Sequence, residues 1–278
     1  MVRLHRLVAP LVAAGLLLSL AAPAMAADTA DVRVLHASPD APAVDVYLDD
    51  TIVDALTNVP FGTISDYLEV PAGDHNVKVY ATGTTADPVI DADVTVAAGA
   101  AYTIAATGAL ADIAPQVLED DVSASCSTAK VRVVHFSADA PAVDVATAGS
   151  TPEEAVVKGL EYPDATGWLE LPGGTYDLEV RLAGETTVAL PLPDVTIEDC
   201  SAYSVFAVGS AASPALGGNA LQAVVAVDAT SLPPSDTIAG ETTDAVSGIA
   251  PAALALVGIG AVAFIAGLSL TARRVRQD

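Results

Sequence analysis

The stretch Val32-Arg33-Val34-Leu35-His36-Ala37-Ser38-Pro39-Asp40-Ala41-Pro42-Ala43-Val44-Asp45-Val46 returns 99 positions later. Its second form is Val131-Arg132-Val133-Val134-His135-Phe136-Ser137-Ala138-Asp139-Ala140-Pro141-Ala142-Val143-Asp144-Val145, with twelve of fifteen positions identical. The match continues at an offset of 101, where Leu68-Glu69-Val70-Pro71-Ala72-Gly73 answers Leu169-Glu170-Leu171-Pro172-Gly173-Gly174. Tyr102-Thr103-Ile104 likewise answers Tyr203-Ser204-Val205. A period of about 100 residues exceeds any solenoid unit and marks a duplicated whole domain.

Each copy reads as short strands separated by turn residues. In the first, candidate strands lie near 31–37, 43–49, 64–70, 75–81, 90–97, 101–107 and 115–121. Val77 and Val79 alternate with Asn76, Lys78 and Tyr80, and Leu178, Val180 and Leu182 alternate with Asp177, Glu179 and Arg181. Period two implies sheets with one buried face. Aromatic residues are only 4% of the chain while 52% is hydrophobic, so the cores must be built from small side chains. The fold class that follows is all-β: two tandem immunoglobulin-like or transthyretin-like β-sandwich domains, with a small barrel as the alternative. Their expected limits are 27–122 and 123–230.

The two ends read differently. Residues 1–26 have the form of a signal peptide, with Arg3, His5 and Arg6 before an apolar stretch and Ala24-Met25-Ala26 as the cleavage site. The 23 residues 248–270 carry no charge and precede Arg273, Arg274 and Arg276, which is the pattern of a C-terminal transmembrane helix with a basic cytoplasmic tail at 271–278. Residues 231–247, rich in Pro, Ser and Thr, read as a linker. The expectation is a plasma-membrane, single-pass, membrane-anchored protein with its N-terminal domains extracellular and its C-terminus cytoplasmic.

The formal net charge is −24. Six basic residues face 34 acidic ones between the leader and the tail, which concentrates about −28 there. Such a surface repels nucleic acid, so none is expected as a partner.

The opening motif together with Leu-Glu-x-Pro-x-Gly resembles the bacterial family catalogued as domain of unknown function 4397. The resemblance covers both copies, across most of residues 30 to 230. It implies an extracytoplasmic β domain and carries over no catalytic residue.

The motif holds the residues with chemistry to offer. His36 and His135 share strand parity with core-side valines and are expected to bond the turn that follows. Ser38, His36 and Asp40, and likewise Ser137, His135 and Asp139, are the residue types of a hydrolytic triad. They sit within five residues on one strand end and turn, whereas a triad needs imidazole between nucleophile and carboxylate. Pro42 and Pro141 end the turn. Asp45 and Asp144 face away from the flanking valines and read as solvent-facing. One His per copy with no nearby Cys is a poor transition-metal site. Asp49-Asp50, Asp91-x-Asp93, Glu119-Asp120-Asp121 and Glu198-Asp199 lack the spacing of a calcium loop and read as solvated edges. No cofactor is expected. Cys126 and Cys200 are the only cysteines and are expected to pair within the second copy. Trp168 and its counterpart Tyr67 read as packing on a hairpin, with a sugar-stacking platform as the alternative.

Duplication without convergent polar chemistry points to a non-enzymatic cell-surface protein that displays β-sandwich modules for structural, adhesive or binding roles. The alternative is a receptor for cell-wall glycan or calcium using the Ser-x-Asp-Ala-Pro loops. Partners would then be cell-wall glycan or another surface protein.

Overall fold

The computed structural model describes residues 28–124, 126–211 and 218–231. The first module contains β1 (Thr29–His36), β2 (Val44–Leu48), β3 (Thr51–Ile52), β4 (Leu68–Pro71), β5 (Gly73–Ala81), β6 (Ile90–Val96), β7 (Ala101–Thr107) and β8 (Ala114–Asp120). The second repeats the set as β9 (Ala129–Phe136), β10 (Val143–Thr147), β11 (Val157–Leu160), β12 (Leu169–Leu171), β13 (Gly174–Leu182), β14 (Val188–Ile197), β15 (Ser201–Val208) and β16 (Gln222–Thr230).

Each module is a sandwich of two four-stranded sheets. The first module has orders β4-β1-β7-β8 and β3-β2-β5-β6, and the second has β12-β9-β15-β16 and β11-β10-β13-β14. The first strand runs parallel to the seventh, with Asp31 opposite Ala101, and β9 runs parallel to β15 in the same way. In immunoglobulin constant domains strands A, B, E and D share one sheet. Here the first strand pairs with the fourth and seventh instead, which leaves the transthyretin-like alternative.

Alternation divides β1 between two cores. Val32 and Val34 face the interior of their own sandwich, with Val46, Val79, Val94 and Ile104. Leu35 and Ala37 point the other way, where they join Ala105, Val134, Phe136, Phe206, Val208 and Ala226 in a second cluster. That cluster takes residues from both modules, so the β1 and β9 sheets pack face to face. These central strands are therefore covered on both sides, and their sequences are nearly continuously apolar for that reason. Phe136 and Phe206 stack in the cluster with ring centroids 5.9 Å apart.

Among the described residues no helix is long and apolar enough to cross a membrane. The expectation of a membrane-anchored, single-pass protein at the plasma membrane is corrected accordingly. The described chain is all-β apart from single 3-10 turns at Asp54–Leu56, Leu110–Asp112 and Pro152–Glu154. Its apolar residues come in strand-length runs, far short of the ~20 residues a spanning helix needs. The leader at 1–26, residues 232–247 of the linker, the helix at 248–270 and the tail at 271–278 lie outside the described residues.

Candidate functional site

Each Ser-x-Asp-Ala-Pro segment links the first two strands of its module and is built as a locked turn. His36 is fully buried, and its Nε2 donates to the Pro42 carbonyl at 3.0 Å. His135 Nε2 does the same to the Pro141 carbonyl at 3.2 Å, and its Nδ1 accepts the Ser137 backbone N–H at 3.3 Å. Burial holds both imidazoles below their ordinary 6.5, against the smaller upward pull of the proline carbonyls. A ring that donates through one nitrogen and accepts through the other is neutral.

The hydroxyls are not activated by these rings. Ser38 Oγ and His36 Nδ1 are both buried without a hydrogen-bond partner. Ser137 Oγ donates to Asp139 Oδ1 at 3.3 Å instead of to His135. With each Nε2 engaged by a proline carbonyl, no imidazole lies between nucleophile and carboxylate, as a triad requires. The motif is therefore not arranged as a hydrolytic triad.

The motif carboxylates fasten loops. Asp40 Oδ1 accepts the Leu110 N–H at 2.7 Å, and Asp139 accepts the Ala211 N–H at 2.9 Å and the Ser210 hydroxyl at 2.5 Å. Leu110 and Ala211 are themselves equivalent in the two copies. The chain reaches them through Gly108 and Gly209, whose φ values of 89° and 102° favour glycine. Asp45 and Asp144, expected at the solvent, are 8% and 3% exposed. Asp45 accepts the backbone N–H of Asn58 at 2.7 Å and of Gly83 at 3.1 Å, with the Thr82 hydroxyl at 3.0 Å. The Asn58 N–H is the main reason its carboxyl sits below the usual range. Asp144 repeats the device with Gly159 N–H at 2.7 Å and Gly184 N–H at 2.8 Å. Alternation turns these carboxylates away from the valines as expected, but the face they turn to is covered by two loops whose amides need an acceptor.

A buried charged group lies between the modules; it includes Asp120, expected on a solvated acidic edge but only 6% exposed, together with Arg33, Arg132 and Asp228, to which the sequence assigned no role. Arg33 and Arg132 hold equivalent places in β1 and β9 and are 2% and 4% exposed. Arg33 pairs with Asp228 of the second module, and its Nη2 lies 3.5 Å from Asp120 of its own. Arg132 pairs with Asp120 of the first module at 2.5 Å. Each guanidinium also donates through Nε to a hydroxyl, Thr103 at 2.8 Å or Ser204 at 3.1 Å. Those hydroxyls donate onward to Asp120 at 2.6 Å and Asp228 at 2.7 Å. Two arginines and two aspartates thus form a closed, reciprocal set across the interface. Burial pushes the Asp228 carboxyl up, opposed by Arg33.

Tyr67 and Trp168 belong to this group. The Arg33 guanidinium lies 4.6 Å from the Tyr67 ring centre, and Arg132 lies 4.8 Å from that of Trp168. Tyr67 also donates to Asp120 at 2.7 Å, and burial drives its phenol upward. One signal could have disclosed the set: an arginine in the middle of an apolar strand, at the same place in both copies, needs a buried acid.

The remaining polar features are local. His75 donates to Asp49 and to the Pro71 carbonyl, each at 2.7 Å, and its partner Asp49 is the first cause of its raised pKa. Among the described residues no group of three or more His, Cys, Asp or Glu is placed to hold a metal ion. Cys126 and Cys200 form a disulfide that closes 74 residues within the second module.

No curated protein matches the chain. The solved structure of the Bacillus anthracis TIE protein is similar at 11% identity and a TM-score of 0.20, over 66% of this chain and 34% of that one. The chain thus spans about a third of that protein's length. The family described as domain of unknown function (DUF4397) matches residues 30–146 and 149–240, a boundary that falls after β10 and not in the connector before β9. With both matches together covering most of its length, the chain belongs to the DUF4397 family.

Proposed function

We propose that this tandem β-sandwich protein is a rigid surface-display element, serving structural, adhesive or binding roles outside the reducing cytosol. One observation carries the reading: most charged and polar residues of the shared opening motif are spent on contacts within the molecule. The arginines and their acids join the modules, and the motif aspartates fasten loops. What remains outside is an acidic surface, suited to solubility and to keeping copies apart. The disulfide supports an oxidising compartment.

The receptor alternative finds less support. Asp40, Asp45, Asp139 and Asp144 already accept backbone or hydroxyl hydrogens, which leaves their loops few free oxygens for calcium or sugar. The test is calorimetric titration of the full chain with calcium and with a panel of wall-derived glycans. No saturable heat that depends on Asp40 and Asp139 is expected. Binding that disappears in Asp40→Asn and Asp139→Asn variants would replace the display reading with the receptor one.

A further inference from the structure

We propose that the space between the two sheets of the first sandwich is a binding site for an uncharged, apolar small molecule of alkyl or aryl character. The two modules share one fold but not one degree of packing. The inter-sheet cavity has a volume of about 310 Å³ in the first module and about 110 Å³ in the second. A dry apolar cavity of roughly 150 Å³ suffices for benzene, so the first module has room for about two such rings or a medium alkyl chain.

The difference arises at the β4–β5 hairpin end. Val70, His75, Val77 and Val96 line the first cavity. The equivalent residues of the second module are Leu171, Tyr176, Leu178 and Ile197, each of them larger. The exchange reverses at the other end, where Thr147 and Val157 stand in place of Leu48 and Leu56. The fold therefore tolerates larger side chains around the hairpin, and the first module does without them. Such space forfeits packing contacts that the same fold makes elsewhere.

The lining sets the ligand's character. Apart from Glu69 and His75 it is aliphatic. Both nitrogens of His75 are engaged, with Asp49 and the Pro71 carbonyl, so the imidazole keeps no donor for a ligand. Asp49 places a carboxylate 2.7 Å from the cavity-lining His75, Glu69 borders the cavity from an exposed position, and the whole protein is strongly acidic. An anionic head group is repelled there, whereas a neutral molecule is bound by apolar burial alone.

The full chain should bind 1-aminonaphthalene, a neutral two-ring fluorescent probe, saturably at pH 7.5, and decan-1-ol should displace it at least tenfold better than decanoate. The substitutions Val77→Leu and Val96→Ile, which install the second module's residues, should weaken probe binding at least tenfold. Leu178→Val with Ile197→Val in the second module should leave that site's affinity unchanged. If the first pair together fails to fold, as judged by circular dichroism, Val77→Leu alone carries the same comparison. Absence of saturable binding, equal displacement by decanoate, or full binding in the filled variant would overturn the proposal. The last result would place the probe elsewhere, for example on the exposed Val225 and Val227 of β16.

Discussion

His36 and His135 are buried bases, each with its Nε2 committed to its own turn, and that makes stability depend on pH in a definite direction. Their folded pKa lies below 6.5, so the unfolded chain binds more protons and stability falls as pH drops through 6.5. The urea midpoint of the full chain should decline between pH 7.5 and 5, and the slope should flatten in a His36→Gln, His135→Gln double variant. His75 acts the other way. Its raised pKa gives stability below 6.5 that is lost as pH rises, but it sits near the surface and so contributes less. Asp144 tests the loop-fastening role. Asp144→Ala leaves the Gly159 and Gly184 amides without their acceptor and should cost about 2 kcal/mol in chemical denaturation. The sequence revealed which way Asp144 points. It could not reveal the loops that arrive over it, because they come from residues 15 and 40 positions downstream.

Among the strands, legibility followed local pattern. The candidates at 75–81, 90–97 and 101–107 correspond to β5, β6 and β7 within a residue or two, because valine alternation and bracketing Gly and Pro are local signals. The candidate at 64–70 shrinks to β4 at Leu68–Pro71; its earlier residues make only an isolated bridge from Ile64 to Leu35. What alternation concealed is that β1, β7, β9 and β15 are buried on both faces. Ala, Thr and Ser on the far side look neutral in sequence, yet they are small enough to let two sheets meet. The disulfide acts at this scale too, tying the segment before β9 to the residue that leads into β15. Replacing Cys126 and Cys200 by Ser should cost about 4 kcal/mol on the chain-entropy account, read by guanidinium denaturation. In a variant whose modules unfold separately, the loss should fall on the second module's transition, since the first module has no cysteine.

Over the whole molecule, the four-residue ion-pair set and the apolar cluster around Phe136 and Phe206 join the two modules. Removing a single partner leaves a buried charge uncompensated, so Arg132→Met should destabilise by about 3–5 kcal/mol. It should also split one calorimetric transition into two. Replacing Arg33 with Met and Asp228 with Leu together should cost less than the sum of the single changes, because neither charge is then stranded. Added salt should leave this coupling nearly unchanged, as the pairs are screened from solvent.

The sequence by itself determined the duplication, the all-β class, most strand positions and the turn chemistry of the shared motif. All of these are written in residues within a few positions of one another or in the offset between the copies. Tertiary structure alone decided the strand order, the burial of Asp45 and Asp144, the unequal cavities and the joining of the modules. The physical reason is distance along the chain. Arg33 meets Asp228 across 195 positions, and a charge pair at that separation has no periodicity by which a linear reading could find it.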